Sequence, residues 1–184
     1  MQLESILWLL PVFFMLHDFE EIIMIKPWFT RHEDTLRTRL PAAAGRLLPH
    51  FQRLSTSAFA LAVAEEFMLL SAVTVLVVEH GWYELWAGVL LVLLLHFVMH
   101  QGQAIFFRGY VPVVLTTVPG TVFGVWALAA LSSRGLLDWG RVALWTGVSA
   151  VLVVVNGALI HWMAALFQRW LDRAFAAPAA RQDA

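Results

Sequence analysis

Five stretches of roughly twenty residues, each apolar and almost free of charge, recur along this chain and leave few folds open. They fall at about 3–25, 56–78, 84–106, 111–131 and 141–165. In hydrocarbon every backbone N–H and C=O has to be bonded within the protein, which restricts such stretches to helices. With 184 residues, 60% of them hydrophobic and 14% charged, and a mean hydropathy of +0.74, the chain reads as all-α. The expected architecture is a polytopic membrane helical bundle of about five transmembrane helices. The first stretch, MQLESILWLLPVFFML, lacks a basic leader and a small-residue cleavage site before its polar cluster, so it is expected to stay as a span.

Between the first two spans lies the one long hydrophilic connection, about 26–55. It mixes Lys26, Arg31, Arg37, Arg39, Arg46 and Arg53 with Trp28, Phe29, Leu36, Leu40, Leu47 and Phe51. That mixture predicts a basic amphipathic segment on the cytoplasmic membrane surface, in short helices broken at Pro41 and Pro49. Arg108 and the tail residues Arg169, Arg173 and Arg181 fall on the same side, and only Arg134 and Arg141 on the other. The charge bias therefore predicts a multi-pass protein of the cell inner membrane, N-terminus outside and C-terminus cytoplasmic. A single domain over 1–175 and a flexible tail over 176–184 complete the expected organisation. Nothing in the charge pattern suits nucleic acid, and the lipid bilayer is the expected partner; oligomeric state is left open.

The spans are not uniformly apolar. The first carries His17, Asp18, Glu20 and Glu21, the second Glu65 and Glu66, and the third His96, His100, Gln101 and Gln103. His17, Glu20 and Glu21 share a helical face by spacing, as do His96, His100 and Gln103, whereas Glu65 and Glu66 stand about 100° apart. Measured from the span midpoints, the histidines and glutamates all lie within about 10 Å of the midplane, on the cytoplasmic side. An acidic residue near a span centre costs roughly 2.5–3.5 kcal/mol, so four unpaired glutamates would cost on the order of 10 kcal/mol. No span has an internal Lys or Arg to offset them, which leaves protonation, imidazolium or bound cations.

Histidines at i, i+4 and a His–Glu pair at i, i+4 let one helix give two ligands to one ion. The absence of Cys restricts any metal to nitrogen and oxygen ligands. The expected ligands are His17, Glu21, Glu65, His96 and His100, holding one or two ions of zinc, iron or manganese. Glu20 or Glu66 is then the expected general base, or an acid beside the ligands. Asp18 is at best a supporting partner of His17. Thr116, Thr117 and Asn156 read as helix-packing hydrogen bonders, and Gly120 and Gly124 as sites of close packing. His32, His50, His80 and His161 read as background.

The run His17-Asp18-Phe19-Glu20-Glu21, with the Glu65–Glu66 pair and the His96/His100 helix, resembles the HXXEE-motif family of small bacterial membrane proteins. That resemblance implies which residues matter and no particular reaction. The E-E-x-x-x-R signature of membrane-embedded prenyl-protein peptidases is not met, since Ile25 and Leu70 occupy the Arg position. From the residues themselves, the expected function is a membrane metalloenzyme leaning to metal-assisted hydrolysis of an amphipathic or lipid-like substrate. Two alternatives stay open: a di-iron-type oxidoreductase on a lipid-like molecule, and a proton- or metal-coupled transporter.

Overall fold

The structure, a computed structural model, describes residues 1–175, apart from the side chains of residues 43, 46, 47 and 50–52. The expected flexible tail over 176–184 lies outside the described residues, as do the side chains of Arg46, Leu47 and Phe51. The described chain is helical throughout: α1 (Leu3–Arg39), α2 (Pro41–Arg53), α3 (Thr56–His80), α4 (Tyr83–Phe107), α5 (Val114–Ser132) and α6 (Trp139–Ala174). Four of these, α3 to α6, are long and apolar enough to cross a membrane. The chain is therefore a helical membrane bundle. α1 is not in that set of four, because its apolar half carries Glu4 near one end and Asp18, Glu20 and Glu21 near the other.

Side-chain contacts fix the direction of each helix. Trp86 Nε1 donates to Leu7 O, and His17 meets His96 ten residues further along both helices, so α1 and α4 run parallel and in register. Phe13 stacks on Phe123 with ring centroids 4.5 Å apart, and Glu20 reaches Thr116, so α5 runs antiparallel to α1. The start of α3 (Leu54, Ala58, Ala62) packs on the end of α6 (Ile160, Ala164). α1, α4 and α6 thus point one way, α3 and α5 the other. One end of the bundle is a dry core of Ile6, Leu7, Leu10, Val77, Trp86, Leu90 and Leu131. At the other end, Trp28, Leu36, Ala44, Leu48 and Val111 form a separate core.

The second core corrects the expectation for the basic connection. α1 does not end near residue 25 but continues as helix through Pro27 to Arg39, and Pro49 lies inside α2, so the only break falls at Leu40–Pro41. A proline interrupts a helix by removing one N–H and crowding the preceding turn, yet packing can outweigh that cost. One residue after Pro27, Trp28 is buried and donates from Nε1 to Tyr110 O at 2.7 Å, stacking meanwhile on His32. This anchor holds the extension of α1 against the loop between α4 and α5.

Glycines set the closest helix approaches. A Cβ on Gly88 would lie 2.7 Å from the Trp145 carbonyl carbon and 2.8 Å from Thr146 N, both backbone atoms of α6. On α5, a Cβ on Gly120 would meet Phe97 at 2.5 Å, and one on Gly124 would meet Leu94 at 2.6 Å. Gly88→Ala is therefore expected to force α4 off α6 and lower stability by about 1–3 kcal/mol, whereas Gly102→Ala, which meets nothing, gains helix propensity at no steric cost. Thermal unfolding of the two variants in detergent checks this, and equal melting temperatures would count against the packing assignment.

Candidate functional site

His17 is fixed by its position on α1, where α4 lies in front of it and α3 and α5 to either side. It is 1% exposed, and its neighbour Asp18 is 4% exposed, so two adjacent faces of the helix are interior at this level. The His17 ring leans on Phe97, whose own place is allowed by the missing Cβ of Gly120. From α4, His96 and His100 project one turn apart toward it. His96 Nε2 lies 3.1 Å from His17 Nε2 and 3.1 Å from His100 Nε2.

These distances cannot all be ordinary hydrogen bonds. A neutral imidazole nitrogen offers either one proton or one lone pair. Gln103 Oε1 accepts from His100 Nδ1 at 3.1 Å, which places the His100 proton on Nδ1 and leaves a lone pair on Nε2. A proton on His96 Nε2 can serve one neighbour well, and without it neither His96 nor His100 donates. As cation ligands, by contrast, all three nitrogens use their lone pairs at once. Two nitrogens bound to one tetrahedral zinc stand about 3.3 Å apart, close to the spacing here. The ligand atoms of His17, His96 and His100 all lie within 4.8 Å of one another.

The remaining acidic residues divide among different neighbours. Glu20 crosses to the first turn of α5, where Oε2 accepts from Thr116 N at 2.9 Å and Thr116 Oγ1 at 2.7 Å, and Oε1 accepts from the Tyr110 hydroxyl at 2.9 Å. α5 has no side-chain cap of its own, because Val113 stands at its N-cap. Glu20 therefore supplies from another helix the acceptor that a Ser or Asp cap would give, facing the positive end of the helix dipole. Burial, with Glu20 beside it, pushes the Tyr110 phenol above its ordinary range. Val113 itself has φ +71°, an unusual conformation for a β-branched residue, and its buried side chain is held within the second core's loop.

Glu21 lies with His17 and Asp18, their ligand atoms within 4.8 Å of one another. Glu66 on α3 is in electrostatic reach of both Asp18 and Glu21. Glu65 turns to α6 instead, where its Oε2 accepts from Asn156 Nδ2 at 3.1 Å. Of the residues singled out from sequence, the structure thus brings together His17, His96, His100 and Glu21, sets Glu66 beside them, and assigns Glu65 and Glu20 to other helix contacts. Tyr110 is the addition, and Asp18, expected only to support His17, lies in the cluster itself. No spacing rule marks Asp18, since its burial depends on α1 having interior neighbours on two sides. Gln101, meanwhile, donates to Thr117 O and Thr121 Oγ1 and ties α4 to α5.

Fold and site together define a helical membrane protein with a buried histidine–carboxylate cluster at the junction of three helices. The chain belongs to the HXXEE family: the model of that family, described as proteins of unknown function with an HXXEE motif, matches residues 8–127. No curated protein and no solved structure matches the chain significantly. The match covers α1 to most of α5 and includes every member of the cluster.

Removing the Glu20 carboxylate leaves the Thr116 amide and hydroxyl and the Tyr110 hydroxyl without this acceptor. Glu20→Ala is expected to cost about 1–3 kcal/mol and to raise amide exchange at residues 115–117, with Glu20→Gln intermediate. Hydrogen-exchange mass spectrometry of α5 reads this out, and unchanged protection there would sink the capping role.

Proposed function

We propose that this protein is an integral membrane metalloenzyme whose primary ion is held by His17, His96 and His100, and that it performs metal-assisted hydrolysis of an amphipathic or lipid-like substrate. The single observation that carries the reading is the approach of three imidazole Nε2 atoms, with His96 Nε2 3.1 Å from those of His17 and His100, so that three lone pairs can converge on one ion. A bound zinc, iron or manganese ion would supply the Lewis acid that activates water at neutral pH. The protein groups do the rest. Gln103 orients His100, and Phe97 backs the His17 ring. Glu66, in electrostatic reach of Asp18 and Glu21, would serve as the group that takes up and returns a proton beside the cluster.

Exposure supports a substrate that arrives through the lipid. His96 and His100 are only partly buried, and their neighbours Leu95 and Met99 on α4 are 63% and 54% exposed. The histidines of α4 thus border a side of that helix whose apolar residues are exposed. The Lys and Arg distribution supports an inner-membrane orientation with the N-terminus outside, α1 crossing as a fifth span and the cluster in the cytoplasmic half. The carboxylates Asp18, Glu21 and Glu66 favour a second reading, a two-iron oxidoreductase on a lipid-like molecule, because such centres are rich in carboxylate.

Metal analysis of detergent-purified protein after metal-replete preparation tests both readings. Wild type is expected to retain stoichiometric metal, His96→Ala and His100→Ala to lose the primary ion, and Glu65→Ala to keep it, since Glu65 is committed to Asn156. Zinc would favour hydrolysis and iron the oxidoreductase, while metal-free wild type would overturn both. Gln103→Leu, which frees His100 without removing a ligand, is expected to weaken affinity about 10-fold or more in chelator competition.

A further inference from the structure

The cluster contains two groups of ligand atoms that share His17 and no other member: His17, His96 and His100 on one side, His17, Asp18 and Glu21 on the other. In each group the ligand atoms lie within 4.8 Å of one another. His17 Nε2 is turned to the histidines of α4. Its other nitrogen, Nδ1, is buried and has no hydrogen-bond partner among the described residues, and the same is true of Asp18 Oδ2. A buried unpartnered polar atom costs roughly 1–3 kcal/mol, and two of them on consecutive residues, beside the Glu21 carboxyl group, call for a common partner.

We propose that Asp18, Glu21 and the Nδ1 atom of His17 form a second divalent-cation site, so that the His17 imidazole bridges two ions. Glu66, on α3, lies in electrostatic reach of Asp18 and Glu21 on this side. A site of one imidazole and several carboxylate oxygens suits manganese, iron(II) or zinc, with a harder ligand set than the three-histidine site has. Coordination through both nitrogens requires His17 to give up its ring proton, which passes to solvent as the second ion binds. This is a different role for Asp18 from that of orienting His17 by a hydrogen bond, which would leave one ion only. The inference rests on the primary ion's being held by the three histidines, and the test separates the two.

The experiment counts ions in detergent-purified full-length chain titrated with Zn2+ and, separately, Mn2+, in wild type, Asp18→Asn, Glu21→Gln and the double variant His96→Ala/His100→Ala. Two ions per wild-type chain are expected, falling to one in Asp18→Asn and in Glu21→Gln, with proton release on the second equivalent in wild type alone. The double histidine variant is expected to keep one ion, lost when Asp18→Asn is added. One ion in wild type, kept in Asp18→Asn and Glu21→Gln and lost in the double histidine variant, overturns the second site and leaves the three-histidine centre standing. No ion in wild type overturns both. A wild-type count of one or none overturns the bridged second site even if a variant fails to fold.

Discussion

Everything in this bundle is arranged around the problem of placing His-Asp-Phe-Glu-Glu in a helix surrounded by apolar helices that carry no interior Lys or Arg. A single helix face cannot solve it, because five consecutive residues sweep the whole circumference. The structure distributes them. His17 faces α4, Asp18 and Glu21 sit on the side of Glu66 and α3, Glu20 crosses to the end of α5, and Phe19 is left 52% exposed toward the outside. α1 needs neighbours on several sides for this to work, and it has them in α3, α4 and α5, while Trp8, Val12, Leu16, Phe19 and Ile23 keep one face exposed.

The packing around α1 also positions the chemistry. Gly120 lets Phe97 lie close over α5, and Phe97 in turn backs His17. α4 approaches α6 closely at Gly88, one end of the same helix that presents His96 and His100. Helix association in lipid depends on such close contacts and on a few interhelical hydrogen bonds, since burying apolar surface gains little there. Gln101 to Thr117 and Thr121, and Asn156 to Glu65, serve as those bonds. The polar residues that look alike in sequence therefore fall into two kinds, those that join helices and those that gather at the cluster.

Sequence made the outline legible because its signals are local. Apolar runs give the ends of α3, α4 and α5 within about three residues of those observed, though α1 and α6 run on past the expected 25 and 165 to Arg39 and Ala174, and the i, i+4 spacing of His96 and His100 places two nitrogens on one stripe whatever lies opposite. What could not be read depends on neighbours. Glu65 and Glu66 are chemically identical, and only the packing of α3 between α1 and α6 decides which faces Asn156. Glu20 and Glu21 stand at i+3 and i+4 from His17, so both flank its face by spacing, yet the first turn of α5 captures one and not the other. Pro27 carries a breaker signal that holds for an isolated helix, and it is overridden here by Trp28, whose indole is bound to a loop 82 residues away.

That loop connects the basic connection to the cluster. Its backbone accepts from Trp28, its Tyr110 hydroxyl donates to Glu20, and its last residue, Val113, adopts a left-handed conformation at which α5 begins. A β-branched residue at positive φ costs of order 1–3 kcal/mol and persists only where its surroundings hold it. The Glu20 contacts lie immediately beyond it, at Leu115 and Thr116. The start of α5 and the loop before it are thus held from α1 at two heights, by Glu20 within the turn that carries the cluster and by Trp28 about two turns further on. Movement of the α1 extension relative to the bundle would reach His17 and Glu21 through this pair of contacts, because both ride on one uninterrupted helix.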